Sequence, residues 1–108
     1  MRRRHRQTKA LSIPPDVKEK VWERDWHRCI LCGSVDAAPS AHYISRAQGG
    51  LGIPENIVTL CWKCHQDYDN SPNRAAYREQ IRGYLMRKYP DWQEEHLVYR
   101  KYDYLPGL

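Results

Sequence analysis

The chain has 108 residues, 41% of them hydrophobic and 29% charged, and a formal net charge of +5. That length suits one domain with an appended helix pair and excludes a multidomain enzyme. The longest run free of charges and turn residues lies around Ile57 to Trp62, far short of the ~20 apolar residues of a membrane span, and no apolar stretch follows the charged start Met1 to Arg6, so neither a membrane protein nor a secreted precursor is expected.

Arg2, Arg3, Arg4, Arg6 and Lys9 precede Leu11 with no acidic residue among them, and from Ser12 onward 13 basic residues face 13 acidic ones. The excess charge therefore sits on an arm, expected to be flexible over residues 1–13, ahead of a nearly neutral body. Such an arm either holds nucleic acid through counterion release, with little sequence preference, or only solubilises the terminus. Pro15-Asp16 suits the first turn of a helix, and Val17, Val21 and Trp22 recur at helical spacing, which predicts a helix over 16–26. Cys29-Ile30-Leu31-Cys32-Gly33 reads as a tight turn that presents two thiols. A short strand is predicted over 40–45 and a stronger one over 57–60, joined by a loop that holds three glycines and Pro54. A helix follows from Cys61 to Tyr68 or Asp69, a second over 72–88, and a short one over 92–97, before a mixed tail. The division is thus an arm over 1–13, a core over 14–71 and a C-terminal helical extension over 72–108. Eight Tyr and four Trp with no Phe imply a thin core of large residues with polar tips, which would benefit from a staple.

The staple is visible. Cys29, Cys32, Cys61 and Cys64 are the only cysteines, and they form two CxxC pairs separated by 28 residues. In the cytoplasm, the expected location, thiols stay reduced, which favours metal over disulfides. Two CxxC turns can converge to supply the four thiolates of a structural Zn²⁺, a closed site that holds the fold and performs no chemistry. A redox dithiol, or iron in the same cage, is left open by the spacing.

Between and after the knuckles stand His42 on the first predicted strand, Asn56 just before the second, and His65 directly after the last cysteine. Separately, each has an ordinary explanation: a half-buried histidine, a turn residue, a further ligand near the zinc. Together with Cys29-x-x-Cys32, Ala41-His42-Tyr43-Ile44-Ser45-Arg46-Ala47-Gln48-Gly49-Gly50 and Glu55-Asn56-Ile57-Val58-Thr59-Leu60-Cys61-Trp62-Lys63-Cys64-His65, the stretch from about 20 to 70 resembles the HNH endonuclease family. The resemblance implies an α+β fold: a small ββα-metal (His-Me finger) core with a four-cysteine zinc site and flanking helices. It also implies that His42 is the general base for a water attacking a phosphodiester, and that Asn56 braces the loop orienting it or, as in some members, binds the metal. An imidazole with an ordinary pKa of about 6.5 suits that proton transfer. Many members carry Asp or His just before this base, as a metal ligand, where this chain has Ala41. His65 and Asp69, four residues apart on one helix face, can replace it and hold a catalytic divalent cation (Mg²⁺, Mn²⁺ or Ni²⁺); alternatively Asp69 only solvates the helix end.

Arg74, Arg78 and Arg82 recur every fourth residue, a stripe that either follows a phosphate backbone or is a solvated helix face, and Arg46 lies closer to the presumed scissile phosphate. No base-reading module is visible, so low sequence specificity is expected. The leading expectation is a metal-dependent DNA endonuclease or nickase, with DNA and, on the resemblance, phage packaging or replication proteins as partners. A zinc-stabilised DNA-binding module with a degenerate site is the alternative, supported by Ala41. A protein-binding zinc adaptor has no use for His42, Asn56 and His65.

Overall fold

The computed structural model describes residues 9–99, so Arg2 to Arg6 of the basic arm and the tail over 100–108 lie outside the described residues. The elements are helix α1 (Pro15–Arg24), strand β1 (Ala37–His42), strand β2 (Ile57–Cys61), helix α2 (Trp62–Asn70) and helix α3 (Arg74–Lys88), with 3-10 turns at Arg46–Gln48, Pro54–Asn56 and Glu94–Leu97. The architecture is α+β, and its strand, strand, helix order beside four clustered cysteines is that of a ββα-metal fold.

Helix α1 starts where proline fixes the first helical φ and Asp16 meets the amide end of the helix. It buries Val17 and Val21 against Ile57. It stops at Arg24, two residues before the expected end, because Trp26 and His27 adopt left-handed backbone with φ of 61° and 58°. Asp25 holds that turn. Its buried carboxylate accepts from the Thr59 N–H at 2.9 Å and the Tyr84 hydroxyl at 2.5 Å, and Arg24 donates to both of its oxygens at 2.7 and 3.0 Å.

Strands β1 and β2 form an antiparallel ribbon. Ala37 pairs with Cys61 and Ala38 with Leu60; past an irregularity, Ala41 pairs with Val58 and His42 with Ile57. Pro39, which has no N–H to give to the ladder, sits inside that irregularity. The strand runs over 37–42 rather than 40–45 because its first half pairs with the end of β2 beside the knuckles. Beyond the irregularity Ala41 is buried in the core and His42 is half-buried at the end of the ladder.

Every residue of β2 is buried. Helix α2 buries Cys64 and Tyr68, and α3 buries Ile81 and Leu85 in the same cluster, which Leu97 closes. The expected helix over 92–97 is only the four-residue 3-10 turn, since Gln93 is extended and Trp92 serves as an anchor, its indole N–H bonded to the Glu55 carbonyl at 2.8 Å. The chain then runs beside the glycine loop, with Leu51 N–H on the Leu97 carbonyl at 2.7 Å and Tyr99 N–H on the Gly49 carbonyl at 2.8 Å. Residues 9–11, expected to be unstructured, are helical, and Leu11 is 6% exposed. No described helix is long and apolar enough to cross a membrane.

Candidate active site and metal centre

The first knuckle is built as its residues dictate. Gly33 takes φ 81° and returns its N–H to the Cys29 carbonyl at 2.9 Å, which turns Cys29 and Cys32 toward one point. In the second, the Cys61 sulfur caps α2 by accepting the Cys64 N–H at 3.4 Å. The Ala37–Cys61 pairing brings the knuckles together, and the four sulfurs all lie within 4.8 Å of one another. Cys32 Sγ and Cys61 Sγ are 3.6 Å apart, close to the ~3.8 Å edge of a tetrahedron with zinc–sulfur bonds of about 2.3 Å, and far beyond a disulfide bond of about 2.05 Å. Burial works against ionisation of Cys29, but surrounding backbone hydrogen bonds outweigh it and draw its pKa down to about 7. Burial pushes the Cys64 thiol up. Four sulfurs at this separation cannot all be thiolates without a cation among them, so the donor set fits a metal such as Zn²⁺.

The other end of the ribbon carries the histidine. His42 pairs with Ile57, four residues along β2 from Cys61, roughly 13 Å at a strand's rise. Helix α2 folds back over that distance: the hydroxyl of buried Tyr68 donates to the Tyr43 carbonyl at 2.7 Å, one residue past His42. His65, whose charge acts on His42, stands on the open side of α2 with its Nε2 3.5 Å from Asp69 Oδ2. Burial lowers the His42 pKa below 6.5; the Leu11 carbonyl, 2.9 Å from Nε2, opposes that shift, and the charges of Arg46 and His65 add to it.

Asn56 is fully buried behind the histidine. Its side-chain oxygen accepts the Ile44 N–H at 2.8 Å, and its amide donates to the carbonyls of Ile44 at 3.1 Å and Leu51 at 2.8 Å. Its place is that of a brace: the side-chain oxygen is already engaged by backbone. Gly50 completes the contact, because a Cβ there would stand 1.7 Å from the Ile44 carbonyl oxygen and 2.9 Å from the Asn56 amide nitrogen. Ala41 offers its methyl to the core and nothing to the site.

The arginines are placed unequally. Arg46 is exposed in the turn after His42 and donates to Ser12 Oγ at 3.5 Å. Arg78 is ion-paired to Glu94 and lies over the Tyr43 ring at 4.5 Å, Arg82 shares Glu94 at 3.4 Å, and Arg74 lies over the Tyr68 ring at 5.2 Å. The stripe is thus tied to the C-terminal turn and to core tyrosines. Two participants carry no signal in the sequence: the Leu11 main-chain carbonyl, and Asp25, an ordinary helix-end acid until Thr59 and Tyr84 close on it.

The HNH endonuclease family profile matches residues 29–71. A protein named anaredoxin, from Nostoc sp. (strain PCC 7120 / SAG 25.82 / UTEX 2576), is 28% identical over 53 residues, which cover 48% of this chain and 70% of that protein. No solved structure matches the chain with significance. The matched segment runs from the first zinc-knuckle cysteine to the end of α2, and its β1, β2 and α2 order and clustered thiols agree with that match: residues 29–71 are similar to the HNH endonuclease domain.

Proposed function

We propose that the protein is a divalent-cation-dependent DNA endonuclease or nickase that hydrolyses phosphodiester bonds with low intrinsic sequence specificity. The observation that supports the reading is half-buried His42 at the open end of the ribbon, with the charge of His65 acting on it and Asp69 3.5 Å from His65 on α2. His42 takes a proton from water, the resulting hydroxide attacks phosphorus, and the bond to the 3′ oxygen breaks. A depressed pKa keeps the imidazole neutral, and so able to accept that proton, at physiological pH. His65 and Asp69 would supply the nitrogen and carboxylate donors for Mg²⁺, Mn²⁺ or Ni²⁺, which would stabilise charge on the phosphate and the leaving oxygen. Arg46 is the phosphate contact nearest the histidine, and Arg74, Arg78 and Arg82 would contribute only where their intramolecular partners release them. DNA is the proposed substrate; a phage or prophage setting, with packaging or replication proteins as partners, rests on the family resemblance.

Supercoiled-plasmid conversion tests this. Wild-type protein with Mg²⁺, Mn²⁺ or Ni²⁺ should produce nicked or linear DNA that EDTA prevents. His42→Ala should lower turnover at least ~100-fold with DNA affinity retained, and Asp69→Ala should raise the cation concentration required. No conversion with any cation but retained DNA binding would instead favour a zinc-stabilised DNA-binding module in which Ala41 marks a lost ligand.

A further inference from the structure

Residues 10–13 precede α1 and lie outside the segment that matches the HNH family. Three contacts hold them across the end of β1. The Gly52 N–H donates to the Ala10 carbonyl at 3.0 Å. Gly52 leaves no space beneath Ser12, since a Cβ there would stand 1.9 Å from the Ser12 carbonyl oxygen and 2.6 Å from its carbon. Ile13 packs on the Val17, Val21 and Ile57 cluster. Buried Leu11, held between these anchors, turns its carbonyl oxygen to His42 Nε2 at 2.9 Å. A carbonyl oxygen has lone pairs and no proton, so the hydrogen of this bond belongs to Nε2. In the neutral ring the lone pair is then on Nδ1.

We propose that residues 10–13 are a positioning strap, in which the Leu11 carbonyl holds His42 as its Nε2–H tautomer and aims Nδ1 at the attacking water. The role of that water rests on the nuclease reading; the tautomer lock stands on the contact itself. When Nδ1 takes the proton, the water O–H bond breaks, an N–H bond forms and the hydroxide moves to phosphorus. The imidazolium keeps donating its Nε2–H to Leu11, so the charge created in the step meets a carbonyl dipole already in place. Leu11 acts through main chain, as a positioning residue that never touches substrate. The functional unit therefore begins before α1, well ahead of the family match.

The test is histidine-detected NMR on the full-length, zinc-loaded protein labelled with ¹⁵N histidine, run beside plasmid turnover. Wild-type His42 should show a protonated Nε2 whose hydrogen exchanges slowly and an unprotonated Nδ1. Gly52→Ala, which pushes Ser12 off the loop, and Leu11→Ala, which loosens the anchor while leaving the loop untouched, should both lose the slow proton. Both should lower kcat about tenfold or more with KM near that of the wild type. A wild-type proton on Nδ1, or an Nε2 hydrogen that exchanges as fast as in free histidine, overturns the strap. Variants that lose the slow proton and keep wild-type kcat overturn its positioning role. A protected Nε2–H in a wild type that cleaves no DNA with any cation supports the lock and overturns the nuclease reading.

Discussion

At the scale of single residues, His42 is set apart by what surrounds it. Burial, with Arg46 and His65 nearby, holds its pKa below 6.5 against the pull of the Leu11 carbonyl. A general base works when deprotonated, so a lowered pKa moves the acid limb of the kcat–pH profile to lower pH. The midpoint of that limb should fall below about 6.5, measured by plasmid turnover in constant-ionic-strength buffers. Arg46→Gln removes one opposing charge and should shift the limb upward. A limb above the ordinary histidine range would mean that His42 is not the titrating base. Asn56 shows the other kind of residue-scale constraint: its buried amide satisfies three backbone groups that would otherwise lie unpaired behind the site.

Among elements, two features decide how the pieces are held. The knuckles join the start of β1 to the junction of β2 and α2, and the sulfurs converge only because Ala37 and Cys61 pair. Purified protein should contain about one zinc per chain by elemental analysis. Cys61→Ser should lose both the zinc and the cooperative unfolding transition, whereas a metal-free chain with an intact transition would remove the staple role. Asp25 is the second feature, joining the end of α1 to β2 and α3 through Arg24, Thr59 and Tyr84. Asp25→Ala strands the Arg24 charge, whose side chain is 11% exposed, and should cost about 3 kcal/mol or more in urea unfolding of the zinc-loaded protein. A loss under about 1 kcal/mol would show that water replaces the carboxylate.

For the molecule as a whole, the segment that matches the HNH family is not a self-sufficient unit. Val17, Val21, Ile81, Leu85 and Leu97, which cover both sides of the ribbon, all lie outside residues 29–71. The glycine loop is gripped by both flanks, through Ala10 on one side and Leu97 and Tyr99 on the other. A zinc-loaded 29–71 fragment should therefore show poor dispersion in its ¹H–¹⁵N spectrum, and a well-dispersed spectrum would make the flanks dispensable for folding. Charge at this scale is lopsided, since the body from Ser12 onward is neutral and the excess precedes it. Leu11 lies beside His42, two residues after Lys9, the one cation of that stretch among the described residues.

The order of strands and helices and the cysteine tetrad are legible in the sequence because each rests on local spacing: two CxxC turns, a glycine loop, and one helix that starts on a cysteine; His42, Asn56 and His65 stand out there only through the family resemblance. What spacing cannot show is contact between distant groups. The break in the β1 ladder around Pro39, which puts Ala41 in the core and His42 at the open end, comes from pairing with β2. Arg78 and Arg82 read as an open basic stripe until Glu94, 12 to 16 residues away, takes both. Leu11 contributes a carbonyl, a group every residue carries, so nothing in its side chain marks it. Only the folded chain brings that oxygen to the histidine.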